Sequence, residues 1–332
     1  MIRFHSINFA NVAKFSSWLL LPMVLLFAIT GARAEYPERP ITGVVPFGTG
    51  GPSDLISRLV ATAMGKELGQ SIVMLNKPGG GGNVGMDFVV KSKPDGYTLL
   101  FCSIATTQNP AVYRKMPYDP LKDMVAVGMF AETAALLAVS TAKVQAKTLA
   151  EFIDVVRKNP GKFNIAGGGG IRMTQEKFMQ HFGVKMEIVG FRSAGDAATA
   201  LMSGEVEFMP GNATTLAPGI KSGKVRILAV GGDNRVKAFP DVPTAKEAGF
   251  PGYTDSTYIG LYAASGIPAD ILNKLNDVVR RAVVTPEVQQ RLSSLDYTAL
   301  QLNQQQADAF YRSEVLRWKE VAKKGNLEPM DE

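Results

Sequence analysis

One design recurs along this chain: an apolar run breaks on glycines and re-enters as a helix. It opens at "ITGVVPFGTGGPSDLISRL", where Ile41 to Phe47 reads as a buried strand, Gly48-Thr49-Gly50-Gly51 as a turn, and the segment from Pro52 as a helix. "NKPGGGGNVGM" (76–86) and "NIAGGGGIRMTQEKF" (164–178) repeat it, with weaker versions at "FRSAGDAATAL" (191–201) and "MPGNATTLAPGI" (209–220). "CSIATTQNPAVY" (102–113) leaves a strand on small hydroxyl residues instead. Alternation of this kind belongs to α/β folds, with largely parallel sheets covered by helices on both faces.

Strands are expected at 41–47, 71–75, 97–102, 134–140, 163–166, 185–190, 205–209, 225–230 and 257–263. Helical patterns fall at 53–68, 83–91, 148–158, 173–182, 194–203, 214–222, 268–284, 286–294 and 303–324. Leu55, Ile56, Leu59, Val60, Ala63 and Met64 recur at helical spacing and give the first helix one buried face. Pro52 suits its first turn, and Ser53 or Asp54 can accept from the free N–H groups there. Nearly 300 residues beyond position 34 exceed one comfortable core, which predicts two α/β lobes.

Residues 1–34 are read as a leader. Arg3 and Lys14 make a basic start, Trp18 to Ile29 is nearly unbroken apolar sequence, and Ala32-Arg33-Ala34 offers an A-x-A cleavage site. The apolar run is short of the roughly 20 residues a spanning helix needs, so a membrane anchor is the weaker reading. Cleavage after Ala34 predicts a soluble periplasmic chain with no membrane insertion. It also removes Arg3, Lys14 and Arg33, three of the 36 basic side chains that face 30 acidic ones. The high isoelectric point therefore belongs partly to the leader, and no dense basic run remains to bind nucleic acid. A single cysteine, Cys102, forms no internal disulfide, and with His181 as the only histidine past the leader, transition-metal and Cys-His chemistry have little to work with. Neither a metal nor a cofactor is expected.

In open parallel sheets ligands bind at the carboxyl ends of strands, where helix N-termini gather. Such a terminus offers unpaired N–H groups and partial positive charge, which suit an anion, and glycine lets a ligand come close to the backbone. Nucleotide phosphate, a reacting substrate and a carried solute are all possible occupants. No segment carries the GK[ST] ending of a P-loop, the opening turn ends in Ser53 where a dinucleotide fingerprint needs its last glycine, and there is no G-x-S-x-G elbow.

At these residues the chain resembles the Bug-type extracytoplasmic solute receptors of tripartite tricarboxylate transporters. "VVPFGTGGPSD" matches the family's PFxxGGxxD opening at Pro46, Phe47, Gly50, Gly51 and Asp54, and "NKPGGGGNVG" matches its second glycine loop. "KPDGYTLL" (93–100), "MPYDPLKDM" (116–124), "FPDVPTAKEAGFPG" (239–252) and "SGIPADILNKLN" (265–276) follow in family order and spacing. The resemblance implies a Venus-flytrap receptor, a two-lobed periplasmic binding protein that closes over a small organic carboxylate without catalysis and without a bound cofactor. Lobe 1 would combine 35–133 with 254–332, and lobe 2 would be 134–253. Membrane transporter subunits would be the partners of a monomer. A receptor presenting its ligand to a sensor shares every such residue. An exported hydrolase or lyase is the alternative from another class.

The family's ligand loops map here onto Phe47, Gly48, Thr49, Gly50 and Gly51, then Gly80, Gly81 and Asn83, and then Ser103, Thr106, Thr107 and Asn109. In the other lobe they map onto Gly168, Gly169, Gly170, Arg172 and Thr174, with Arg192 and Asn212 completing the cleft. Tyr258 stands where the family commonly has a tryptophan, and Arg172 enters a fourth loop shorter than the usual one. Asp54 is expected to cap the first helix and tie the loop, with a water bridge to ligand as its alternative. A guanidinium from Arg172 or Arg192 would fork onto a carboxylate.

Overall fold

The computed structural model describes residues 35–168, 172–191 and 194–331; the expected leader and Gly169, Gly170 and Arg192 lie outside the described residues. Arg39–Glu332 forms one compact unit that carries both sheets. Its strands are β1 (Ile41–Val45), β2 (Ile72–Asn76), β3 (Thr98–Ser103), β4 (Met124–Ala134), β5 (Leu136–Ser140), β6 (Asn164–Gly168), β7 (Glu187–Phe191), β8 (Phe208–Gly211), β9 (Val225–Val230), β10 (Ser256–Ala264) and β11 (Thr298–Ala299). Its helices are α1 (Pro52–Leu68), α2 (Asn83–Val90), α3 (Ala105–Val112), α4 (Leu149–Lys158), α5 (Met173–Phe182), α6 (Ala194–Ser203), α7 (Ala213–Lys221), α8 (Ala269–Ala282), α9 (Pro286–Ser294) and α10 (Gln304–Lys324).

The strands sort into a six-stranded sheet, β11-β4-β10-β3-β1-β2, and a five-stranded sheet, β7-β6-β8-β5-β9. Two α/β lobes result. Both sheets are mixed rather than largely parallel. β1 pairs in parallel with β2 and β3, and β6 with β7 and β8, as βαβ units require. Strands next to the crossings between sheets run the other way: β10 is antiparallel to β3 and β4, and β5 to β8 and β9. At the crossings Ala135, Gly231 and Asp255 exchange backbone hydrogen bonds: Ala135 N–H to Asp255 O at 2.8 Å, and Gly231 N–H to Ala135 O at 2.7 Å. A Cβ on Gly231 would lie 3.0 Å from both Asp255 Cβ and Asp255 O, so a side chain there would press against the crossing strand.

The cores lie between each sheet and its helices. In the first lobe Val44, Leu100, Met129, Tyr262 and Tyr311 are buried together under α2, α3 and α10. In the second, Phe208 stacks on Phe152 at 5.0 Å and meets Phe178 at 4.4 Å between ring centroids. Cys102 is wholly buried, and burial pushes its thiol pKa far up, so it serves as a small apolar residue. β4, β11 and α3 are not among the expected elements. α3 is buried along most of its length, including Thr106, Thr107, Gln108 and Asn109, so its sequence shows no polar face for a helical pattern to reveal.

Candidate functional site

Six strand-to-helix turns stand at the carboxyl ends of β1, β2, β3, β6, β7 and β8. The turn after β1 is held by Asp54, which is buried at 3 % exposure. Its carboxylate accepts the Gly50 N–H at 3.0 Å, Arg58 Nε at 3.0 and 3.1 Å, and Asn76 Nδ2 at 2.9 Å. Asn76 also donates to Phe47 O at 2.9 Å, closing the loop on the end of β2. Burial alone would raise the Asp54 pKa, but Arg58, the Gly50 N–H and Asn76 together outweigh it and hold the carboxyl below its ordinary value. Asp54 therefore ties the loop, as expected, but does not cap α1: the N-cap is Gly51, with no side-chain bond. Gly50 has φ +86°, a conformation that requires glycine, and its N–H is occupied by Asp54. Gly48, Thr49 and Gly51 are exposed around it.

Behind this turn the second and third are locked together. Asn109 Nδ2 donates to Gly81 O at 3.1 Å and to Asn83 Oδ1 at 3.0 Å, and the Tyr118 hydroxyl reaches the same Asn83 oxygen at 3.2 Å. A side chain on Gly81 would run into the Tyr113 hydroxyl. Thr106 Oγ1 donates to the Tyr262 hydroxyl at 3.0 Å, and Thr107 Oγ1 shares a short hydrogen bond with the Tyr258 hydroxyl. Thr106, Thr107, Asn109, Asn83 and Tyr258 are all buried. The structure thus puts these side chains under the loops, where they set backbone position; Ser103, Gly80 and Gly81 remain partly or fully exposed.

In the second lobe, Arg172 is exposed at the start of α5 and Thr174 is half-buried beside it. Buried Gln175 Nε2 donates to Ala166 O at 3.0 Å and anchors the helix to β6. After β8, Asn212 Oδ1 accepts the Thr215 N–H at 2.8 Å and caps α7. Two contacts bring these turns against the first lobe. Met173 is buried with Val112 of α3 and Trp318 of α10, and Thr214 Oγ1 lies 3.3 Å from Asp296 Oδ2.

Sequence reading missed Arg58, Asn76 and Gln175. The Asp54–Arg58 spacing of four on one helix was the available signal for the first. His181 packs its ring against Phe182 and Tyr253 at 5.0 and 5.2 Å on the edge of an aromatic cluster, a structural place. Among the described residues no group of three or more His, Cys, Asp or Glu is arranged to hold a metal, and no helix is long and apolar enough to cross a membrane.

The sequence pattern of the tripartite tricarboxylate transporter family receptor, TctC, matches residues 56–327. The chain belongs to that family. Solved structures of similar proteins bear out the two-lobed fold. The Rhodopseudomonas palustris protein MatC with bound malate is 32% identical, with 86% of this chain and 99% of that one covered at a TM-score of 0.68. The R. palustris protein Rpa4515 with adipate is 29% identical, with 89% and 100% covered at 0.73. The periplasmic binding protein BugD is 28% identical, with 89% and 100% covered at 0.69. The Bug-type resemblance read from the glycine loops is thereby confirmed. Such TctC receptors are solute-binding proteins rather than enzymes.

Proposed function

We propose that this TctC receptor is cleaved after Ala34, captures a small organic carboxylate in the periplasm without chemistry, and delivers it to a tripartite transporter as a monomer. One lobe would comprise 35–133 with 254–332, and the other 134–253. Sheet membership supports that division, since β1–β4, β10 and β11 build one sheet and β5–β9 the other. The observation that carries the reading is the gathering of helix N-termini at the ends of β1, β2, β3, β6 and β8, with Met173 of one lobe against Val112 of the other.

In this reading the first lobe holds one carboxylate group by backbone N–H donors around Gly48, Thr49, Gly51, Gly80 and Gly81, with Asn83 fixing the second loop. Asp54, Thr106, Thr107, Asn109 and Tyr258 act from below. The second lobe brings Arg172, Thr174 and Asn212, and the family's loops add Gly168–Gly170 and Arg192. The relatives that hold malate and adipate make dicarboxylates the first compounds to test. A thermal-shift screen of mono-, di- and tricarboxylates should raise the melting temperature for at least one acid, because a ligand that binds only the native state stabilises it. A screen in which amino acids, amides or sugars shift the melt and no carboxylate does would sink the reading. N-terminal sequencing of the exported product should begin at Glu35.

A further inference from the structure

From Met173 onward, α5 of the second lobe lies along the end of α10 of the first. Met173, Val112, Trp318, Val321 and Ala322 form its apolar seam, and Gln180 Nε2 donates across it to Val321 O at 2.9 Å. In the middle sits Lys177, whose side chain is 11% exposed. Its ammonium lies 3.9 Å from Asp255 Oδ1, 5.3 Å from the centroid of Trp318 and 5.7 Å from that of Tyr253. Tyr253 packs in the core of Lys177's own lobe, whereas Trp318 of α10 and Asp255, at the strand crossing just before β10, come from the other side of the seam.

None of these is a hydrogen bond, and an ammonium has three donors to satisfy. The seam leaves other donors wanting as well. The Trp318 indole N–H and Arg317 Nε are buried without an acceptor among the described residues. A buried charge without hydrogen bonds is costly, whereas separation of the lobes returns it to water. The Asp255 carboxylate, the Trp318 ring face, the Gln180–Val321 bond and the apolar contacts pull the other way. None of them supplies the hydrogen bonds that the ammonium gives up on leaving water.

We propose that Lys177 is a positioning residue that biases the two lobes toward separation, and so sets affinity for the carboxylate without touching it. The proposal rests on the reading of the cleft as a carboxylate site. Ligand that bridges the lobes must offset the cost of drying Lys177, so apparent affinity scales with the fraction of closed protein.

The experiment compares the wild type with Lys177→Met/Asp255→Asn and with Gln180→Ala, after thermal melts show each to be folded. The paired change removes the ammonium without stranding a buried carboxylate. Small-angle scattering of the ligand-free proteins should show a smaller radius for the paired variant and a larger one for Gln180→Ala. Calorimetry with malate or adipate, whichever binds wild type more tightly, should show about threefold to tenfold tighter binding for the first and a comparable loss for the second, the scale of one neutral hydrogen bond. Unchanged radii, or two variants that move the same way, overturn the proposal. If neither acid binds wild type, the best carboxylate of the thermal-shift screen replaces them; if that screen finds none, the carboxylate reading fails while the ligand-free radii still decide the role of Lys177.

Discussion

In the first lobe, the turn after β1 is braced by a carboxylate with three donors, Gly50, Arg58 and Asn76, and the next two turns share the Asn109–Asn83–Gly81 network. Among the described residues of the second lobe, Gln175 donates to Ala166 O, Asn212 accepts the Thr215 N–H, and Arg172 stands exposed at the start of α5. The contrast teaches a division of labour. A backbone platform for one carboxylate must be rigid, because misplaced N–H donors lose their geometry. The opposite wall can carry exchangeable side chains that choose the rest of the ligand. Each variant below probes that division, the largest effect first.

Asp54 should matter most. Asp54→Ala strands the Gly50 N–H, the Asn76 amide and Arg58. Because Arg58 is 40% exposed and can hydrate, the loss should be ~2–4 kcal/mol, less than the ~3–5 of a fully buried pair. Urea unfolding checks the stability, and calorimetry should show carboxylate binding lost with it. The folded-state pKa of Asp54 is depressed, so its stabilisation is present above the unfolded value near 4 and disappears as pH falls through the lower folded value. The gap between wild type and Asp54→Asn should therefore close in acid below about pH 4. A variant that keeps full stability and affinity at neutral pH would break the idea of a braced platform.

Next come the adjacent glycines. An added Cβ at Gly50 meets nothing within 4 Å, so its constraint is φ +86° and not space, while Gly51 has an ordinary φ of −73°. Gly50→Ala should cost ~1–2 kcal/mol in backbone strain and weaken binding, and Gly51→Ala should cost a few tenths. Gly50→Val should be worse than Gly50→Ala, since β-branching resists positive φ more strongly. Equal thermal melts for Gly50→Ala and Gly51→Ala would mean that the turn tolerates either geometry and is no fixed cradle.

Arg172 tests the other wall. Arg172→Gln should leave stability within about 0.5 kcal/mol, as exposed substitutions do. Its effect on affinity should be a loss of roughly tenfold at low salt that shrinks at high salt, because an exposed guanidinium is screened. An affinity loss independent of salt would show a dry, buried contact and a tighter second wall than the structure suggests.

The chain made its α/β alternation and its turns legible because both are local: a β-branched run, glycines, then apolar spacing of 3.6. The same locality explains the misses. β4 pairs with β10 more than a hundred residues away, through Gly128, Ala126 and Ala131, which have little strand preference of their own. Thr106, Thr107 and Asn109 look like ligand-facing polar residues in sequence. Their partners Tyr262, Tyr258 and Asn83 arrive from distant elements and draw them into the core. Asp54 was legible in kind, as a tie, because its partner Gly50 lies four residues away.

The smallest effect belongs to Thr49, and it bears on the division most directly. Thr49 is exposed at the crest of the braced turn, with Asp54, Arg58 and Asn76 holding the backbone beneath it. If the platform works through N–H groups, its hydroxyl is incidental, and Thr49→Ala keeps every backbone donor where it was. Calorimetry should then show a loss of at most about 1 kcal/mol, the ordinary scale of one neutral hydrogen bond, and less than the roughly 1.4 kcal/mol of a tenfold Arg172→Gln loss at low salt. Thermal melts should be unchanged, because the residue is exposed and makes no bond to the tie. A Thr49→Ala loss larger than that of Arg172→Gln would reverse the comparison. Side-chain chemistry, not backbone geometry, would then dominate the first lobe, and the braced loop would serve to aim a hydroxyl rather than to cradle an anion.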